Sequence, residues 1–221
     1  MPVYRKNKLV HIHIPRTGGT AIEIMFHALG DMVWGLDSWV GEDQCGDRWY
    51  EFQHLTYREL LQMAGPEIGS DVSFAVVRDP RDRLVSDYRW REYIGRTYPD
   101  APVLSFPSFE RFVRAIPPDI DANWDELIRG ASRSEANFLI HVRPQHHYLE
   151  ARGEQIAVEH LLRFEQFKED VTGLMERFGI GADSIRRPTG RDRAEFFTAE
   201  TLEIVNRLYH RDLELLGYPE T

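Results

Sequence analysis

Cysteine is almost absent from this chain. Cys45 stands alone, so no intramolecular disulfide can form, and a reducing compartment is the natural setting. Long apolar runs are missing too. No stretch is long enough to span a bilayer, and the apolar segment 9–14 has the length of a buried strand, not of a signal-peptide core. A cytoplasmic protein without an integral membrane segment is expected. Positive charge is in deficit: 27 basic against 36 acidic residues leave a net charge of −9. That balance argues against a nucleic-acid partner, because sequence-tolerant binding needs a basic face to displace counterions. It leaves room for a local basic pocket, since the local field is what a ligand meets. There is no internal repeat, no low-complexity tract and no charge block that would mark a linker. The GxxxxGK[ST] spacing occurs nowhere, so the central lysine of a Walker-type Mg-nucleotide site is missing. Histidines do occur in pairs, His11 with His13 and His146 with His147. The three or four converging ligands of a zinc site have no matching spacing, and no metal is expected.

What is present is the composition of a folded globule. Hydrophobic residues at 42% and charged residues at 29% over 221 positions fit a single domain spanning 1–221. Segment 9–14 is β-branched and halted by Pro15, as a strand would be. The turn Arg16-Thr17-Gly18-Gly19-Thr20 follows, then a helix over 21–29 that stops at Gly30. The same order recurs with a strand at 72–77, the turn Arg78-Asp79-Pro80, and a helix from 81 to about 93. Pro80 falls where a first helical turn tolerates it. A third strand is expected near 156–162, and a helix over about 165–178. A last helix, over roughly 199–216, sets Leu202, Val205, Tyr209, Leu213 and Leu216 on one face. Segment 95–125 lacks a period and reads as loops around a short helix near 109–115. The alternation predicts an α/β fold with a mainly parallel central sheet flanked by helices. Ligands of such sheets bind beyond the carboxyl ends of the strands, which is where both turns lie.

In the first turn, two glycines let the backbone approach an anion, and the amides of the helix start supply donors. Thr17 and Thr20 add hydroxyls, and Arg16 adds a fixed positive charge. A 5′-phosphate cradle fits this pattern; an ordinary glycine-containing turn with a surface arginine is the plain alternative. In the second turn Arg78 ends a strand, and Ser86 lies about two helical turns on. They can converge on one phosphate. The plain alternative is a solvated, self-paired helix start built from Asp79 and the arginines around it.

Taken together, these segments resemble the paired phosphate loops of sulfotransferases that use 3′-phosphoadenosine 5′-phosphosulfate (PAPS). Pro15-Arg16-Thr17-Gly18-Gly19-Thr20 looks like their 5′-phosphosulfate loop, and Val77 through Ser86 looks like their 3′-phosphate loop. Phe52-Gln53-His54-Leu55-Thr56-Tyr57 is similar to the catalytic-histidine segment of the carbohydrate-type branch, which includes the heparan sulfate sulfotransferases. Arg143-Pro144-Gln145-His146-His147 is similar to that branch's Pro-Gln segment. Arg163-Phe164-Glu165-Gln166 and the terminal Tyr209-His210-Arg211-Asp212 match it as well. The matches run in family order from residue 9 to 218. Arg16 departs from the lysine common at its position.

The resemblance implies a P-loop-like sulfotransferase fold, PAPS as sulfuryl donor and PAP as product, with no metal required. It implies in-line transfer to a hydroxyl of a carbohydrate or other small metabolite. His54 is implied as the base, against the plain alternative of a histidine capping the helix that begins near Thr56. Arg16 is implied as the residue that steadies the leaving phosphate. Donor binding falls to Arg16, Thr17, Gly18, Gly19, Thr20, Arg78 and Ser86. Arg191 and Arg193 are implied as closing over the donor, against the alternative of a solvated charged loop. Two other classes stay open at this point. A nucleotide-dependent, kinase-like phosphoryl transferase predicts Mg-dependent ATP binding, and a non-catalytic nucleotide-binding domain predicts binding without turnover.

Overall fold

A computed structural model describes residues 3–30, 41–42, 49–150, 155–182, 185, 193 and 195–220. Along the chain lie β1 (Val3–Tyr4), β2 (Leu9–Ile12), α1 (Gly19–Ala28), β3 (Gly41–Glu42), β4 (Trp49–Tyr50) and α2 (Tyr57–Ala64). Next come β5 (Val72–Val77), α3 (Pro80–Thr97), α4 (Phe109–Arg114), α5 (Trp124–Ile128), α6 (Arg133–Val142) and α7 (Gln145–Leu149). The order closes with β6 (His160–Arg163), α8 (Phe167–Arg177), α9 (Ala199–Leu208) and α10 (His210–Leu215). They gather into two compact units. One comprises Met1–Trp39, Phe52–Arg78 and His147–Thr189; the other comprises Val40–Glu51, Asp79–His146 and Gly190–Thr221.

The first unit is an α/β layer. Its sheet has the order β1-β2-β5-β6, with β2, β5 and β6 parallel and the short edge strand β1 antiparallel to β2. This is the mainly parallel sheet that the alternating pattern predicts. Strands β2 and β5 are buried over almost all of their length, and they are rich in Val, Leu, Ile and Phe as a doubly covered strand must be. Helices α1 and α8 cover them. Ile22, Met25 and Phe26 of α1, and Phe167, Val171, Leu174 and Met175 of α8, pack with Tyr4, Leu9, Phe74, Val76 and Leu162. Tyr4 and Phe26 stack with ring centroids 3.5 Å apart.

The second unit is mainly helical. Leu84, Val85 and Tyr88 of α3 pack with Phe109, Phe112 and Val113 of α4, with Phe138 and Leu139 of α6, and with Val205 and Leu208 of α9. A polar network crosses this core. Asp87 takes hydrogen bonds from Arg91 at 2.7 Å and from His141 Nδ1 at 2.6 Å, while Arg91 also donates to Asn137 Oδ1 at 3.0 Å. Buried charges of this kind hold only when fully partnered.

Several boundaries differ from the expectation: α1 starts at Gly19, and α3 runs on to Thr97 past the expected end near 93. The third strand is His160–Arg163, not 156–162; Ile156 forms only an isolated bridge to Glu150. The single terminal helix is two, α9 and α10, separated at Tyr209. Its hydroxyl donates to the Val142 carbonyl, and that buried bond fixes the residue where the helix turns.

Candidate active site

The first turn joins the carboxyl end of β2 to α1. Arg16 and Gly18 both lie in the left-handed region, with φ of 67° and 93°. For glycine that costs little, but for arginine it costs about 1–2 kcal/mol and persists only where the surroundings enforce it. Arg78, from the end of β5, supplies that enforcement. Its Nη1 donates to the Arg16 carbonyl at 3.1 Å, and its guanidinium lies over the Phe164 ring at 3.9 Å from the centroid. The Arg78 side chain is nearly buried. Thr17 is fully buried and its hydroxyl donates to the Ile14 carbonyl at 2.9 Å, which shapes the turn from within. Thr20 is exposed on the first turn of α1. Gly18 caps α1 without a side-chain bond, and the first turn carries no acidic residue, so the positive end of the helix suits an anion.

Gly19 answers a different demand from the one its motif suggests. A Cβ there would stand 2.2 Å from His13 Cδ2, so the absent side chain makes room for an imidazole. His13 Nδ1 donates to Glu23 Oε1 at 2.6 Å, and Gln53 Nε2 donates to the other carboxylate oxygen at 2.7 Å. Burial pushes the Glu23 carboxyl up, but His13 and Gln53 outweigh it and hold the group below its ordinary value. Glu23 is therefore an ionised carboxylate inside the protein. His11, stacked on Phe74 and fully buried, is held well below the ordinary imidazole value by burial and by nearby His13. It stays neutral.

His54 is half-buried in a short 3₁₀ turn just before α2. Its Nδ1 lies 2.8 Å from the His13 carbonyl oxygen, and its ring meets the His13 ring edge-on at 4.6 Å. A carbonyl only accepts, so Nδ1 carries the hydrogen of this bond. The capping alternative is overturned. Thr56 caps α2 in a reciprocal box with Glu59, at 3.1 and 2.8 Å.

Of the residues singled out in the sequence, Arg16, Thr17, Gly18, Gly19, Thr20, His54 and Arg78 therefore share the first unit. Arg78 and His54 are both hydrogen-bonded to carbonyls in or next to the turn. Ser86 lies in the second unit, half-buried on α3. Arg193 lies in that unit too, where it donates to Asp79, with Asp82 at 3.4 Å. Arg191, like Trp34, Trp39 and Cys45, lies outside the described residues. The start of α3 is self-paired but not solvated. Asp79 caps it through the Arg81 amide and also binds the Arg81 guanidinium, and Arg81 and Arg83 are fully buried. Burial pushes the Asp79 carboxyl up, but Arg81 and Arg193 hold it below its ordinary value. His146 is also committed, between Asp212 at 2.7 Å and Asp121 at 2.9 Å. The partnership of Glu23 with Gln53 has no motif in the sequence. An acid flanked by Ile22 and Ile24 was the available signal.

A helix N-terminus, an arginine and a histidine thus meet on one stretch of backbone in the first unit. The chain belongs to the Sulfotransferase family, whose model matches residues 2–219. It is a sulfotransferase, an enzyme of sulfuryl transfer, and the phosphoryl-transferase and non-catalytic alternatives fall away. No curated protein and no solved structure matches it significantly. Among the described residues no helix is long and apolar enough to cross a membrane.

Proposed function

We propose that this enzyme moves the sulfuryl group of PAPS to a hydroxyl of a carbohydrate or other small metabolite, acting as one sulfotransferase domain over 1–221. The observation that carries the reading is the common anchoring of Arg78 and His54 on the backbone of the β2–α1 turn. A strained, glycine-bearing turn at a helix N-terminus suits the 5′-phosphosulfate, with Arg16, Gly18, Gly19 and Thr20 as its holders and Thr17 contributing through its backbone, since its hydroxyl is bonded to the Ile14 carbonyl. Arg78 takes the 3′-phosphate, and the family resemblance implies Ser86, Arg191 and Arg193 as further donor contacts. A guanidinium on phosphate is charge-assisted and stronger than a neutral hydrogen bond.

His54 Nε2 takes the proton of the acceptor hydroxyl as its oxygen attacks sulfur. The bond from sulfur to the 5′-phosphate oxygen breaks on the opposite side, and Arg16 steadies the charge gathering there. Arginine stays protonated and serves as a donor, not an acid, which suffices because a phosphate leaves without a proton.

The test has two arms. PAP should raise the melting temperature without any divalent metal, in proportion to saturation. Incubation with PAPS and an acceptor library should then yield a sulfated product by mass spectrometry, and His54→Ala should lose about 10²–10⁴ of that rate while keeping donor affinity. Stabilisation by Mg-ATP with none by PAP would sink the donor assignment.

A further inference from the structure

We propose that Glu23 is the positioning residue of the base, a buried carboxylate that holds His54 in its Nδ1–H tautomer by fixing both His13 and Gln53. The inference rests on His54 being the base and adds the residue that acts through it. The hydrogen bond from His54 to the His13 carbonyl has two sides, and Glu23 holds each. On the accepting side, Glu23 Oε1 takes the His13 imidazole at 2.6 Å, which immobilises the residue whose carbonyl is used. On the donating side, Glu23 Oε2 takes the Gln53 amide at 2.7 Å, and Gln53 is the chain neighbour of His54. The His13 ring also fills the space that a side chain on Gly19, the first residue of α1, would take.

Packing alone gives no reason for this acid. Glu23 is 1% exposed, beside Ile22 and close to Met25 and Phe26 on the buried side of α1. An unpartnered carboxylate there would carry a heavy desolvation penalty. The two donors offset that cost, and the result is a rigid link from helix to strand end to the histidine turn. Which nitrogen of a neutral histidine carries the hydrogen is set by what the ring can donate to. If the His13 peptide moves or the ring turns, part of the population protonates Nε2, and that part cannot accept a proton from the acceptor hydroxyl.

The test substitutes Glu23→Gln. The new amide matches the shape but offers one acceptor and one NH₂ group, which cannot satisfy two donors. Two-bond ¹H–¹⁵N correlation spectra of ¹⁵N-histidine-labelled apoprotein, with His54 assigned from His54→Ala, report the tautomer without any turnover. The wild type should show Nδ1–H, and Glu23→Gln a mixture with Nε2–H. With PAPS and an acceptor, kcat should fall about tenfold to a hundredfold while the donor KM stays within about twofold. A His54 that keeps its Nδ1–H signature in the variant overturns the proposal. A mixed tautomer with unchanged turnover would uphold the hold of Glu23 on the ring and remove His54 as the base. Gln53→Ala cuts one of the two contacts without touching the His13–Glu23 pair. It is judged by the same tautomer criterion and decides the matter if Glu23→Gln fails to fold.

Discussion

At Gly19 a hydrogen stands where any larger group would strike the His13 ring, whereas at Gly173, on the exposed side of α8, an added Cβ would touch nothing within 4 Å. The two glycines predict opposite outcomes for one substitution. Gly173→Ala should stabilise by about 0.5–1 kcal/mol, the gain of alanine over glycine in a helix interior. Gly19→Ala should destabilise by about 1–3 kcal/mol through overpacking against a ring that Glu23 holds in place. Urea midpoints of the two variants check the signs. Arg78 offers a second comparison. If it binds the 3′-phosphate, Arg78→Ala should weaken PAP far more than adenosine 5′-phosphosulfate, and isothermal titration of both ligands measures this. Equal weakening would reduce Arg78 to the clamp on the Arg16 carbonyl. The place of the β2–α1 turn and of Arg78 at the end of β5 is legible because glycine, proline and charge speak locally. The place of Glu23 is not, because a single acid in a helical pattern reads as solvent-facing, and only the folded approach of His13 and Gln53 shows otherwise.

Among the elements, those with long uniform signals were the readable ones. β2 and β5 are apolar runs bounded by a turn, and α1 and α3 follow those turns as expected. The edge strand β1 is two residues long, too short to carry a period. The break at Tyr209 hides because α9 and α10 continue one apolar face across it, and the hydroxyl bond to Val142 that fixes it spans 67 positions. Helix α2 is eight residues long, which is marginal for a helix on its own, so its capping box matters. Thr56→Ala should lower stability by about 1 kcal/mol in urea unfolding. Ser132→Ala, which removes the equivalent box of α6, gives an independent comparison within the other unit.

At the scale of the whole molecule, two buried histidines bracket the pH of greatest stability. Burial opposes the charged form of His146, but Asp121 and Asp212 overcome it and raise the group from 6.5 to about 9. Its contribution is fully present below 6.5 and is lost as pH rises through about 9. His11 is depressed, so the stability it leaves intact above its ordinary 6.5 is lost as pH falls below that value. Urea midpoints should therefore peak near neutrality, and His146→Gln should flatten the decline between 6.5 and about 9. A decline of unchanged slope in that variant would assign the alkaline limb to other groups. The burial of arginine in the helical unit carries its own consequence. Arg5 and Arg96 face solvent, while Arg81, Arg83 and Arg91 are wholly enclosed. To a dicarbonyl reagent such as phenylglyoxal the native protein offers the first set and withholds the second. The moment at which adducts reach Arg83 and Arg91 thus becomes a clock for the opening of that unit, readable peptide by peptide in a mass spectrometer.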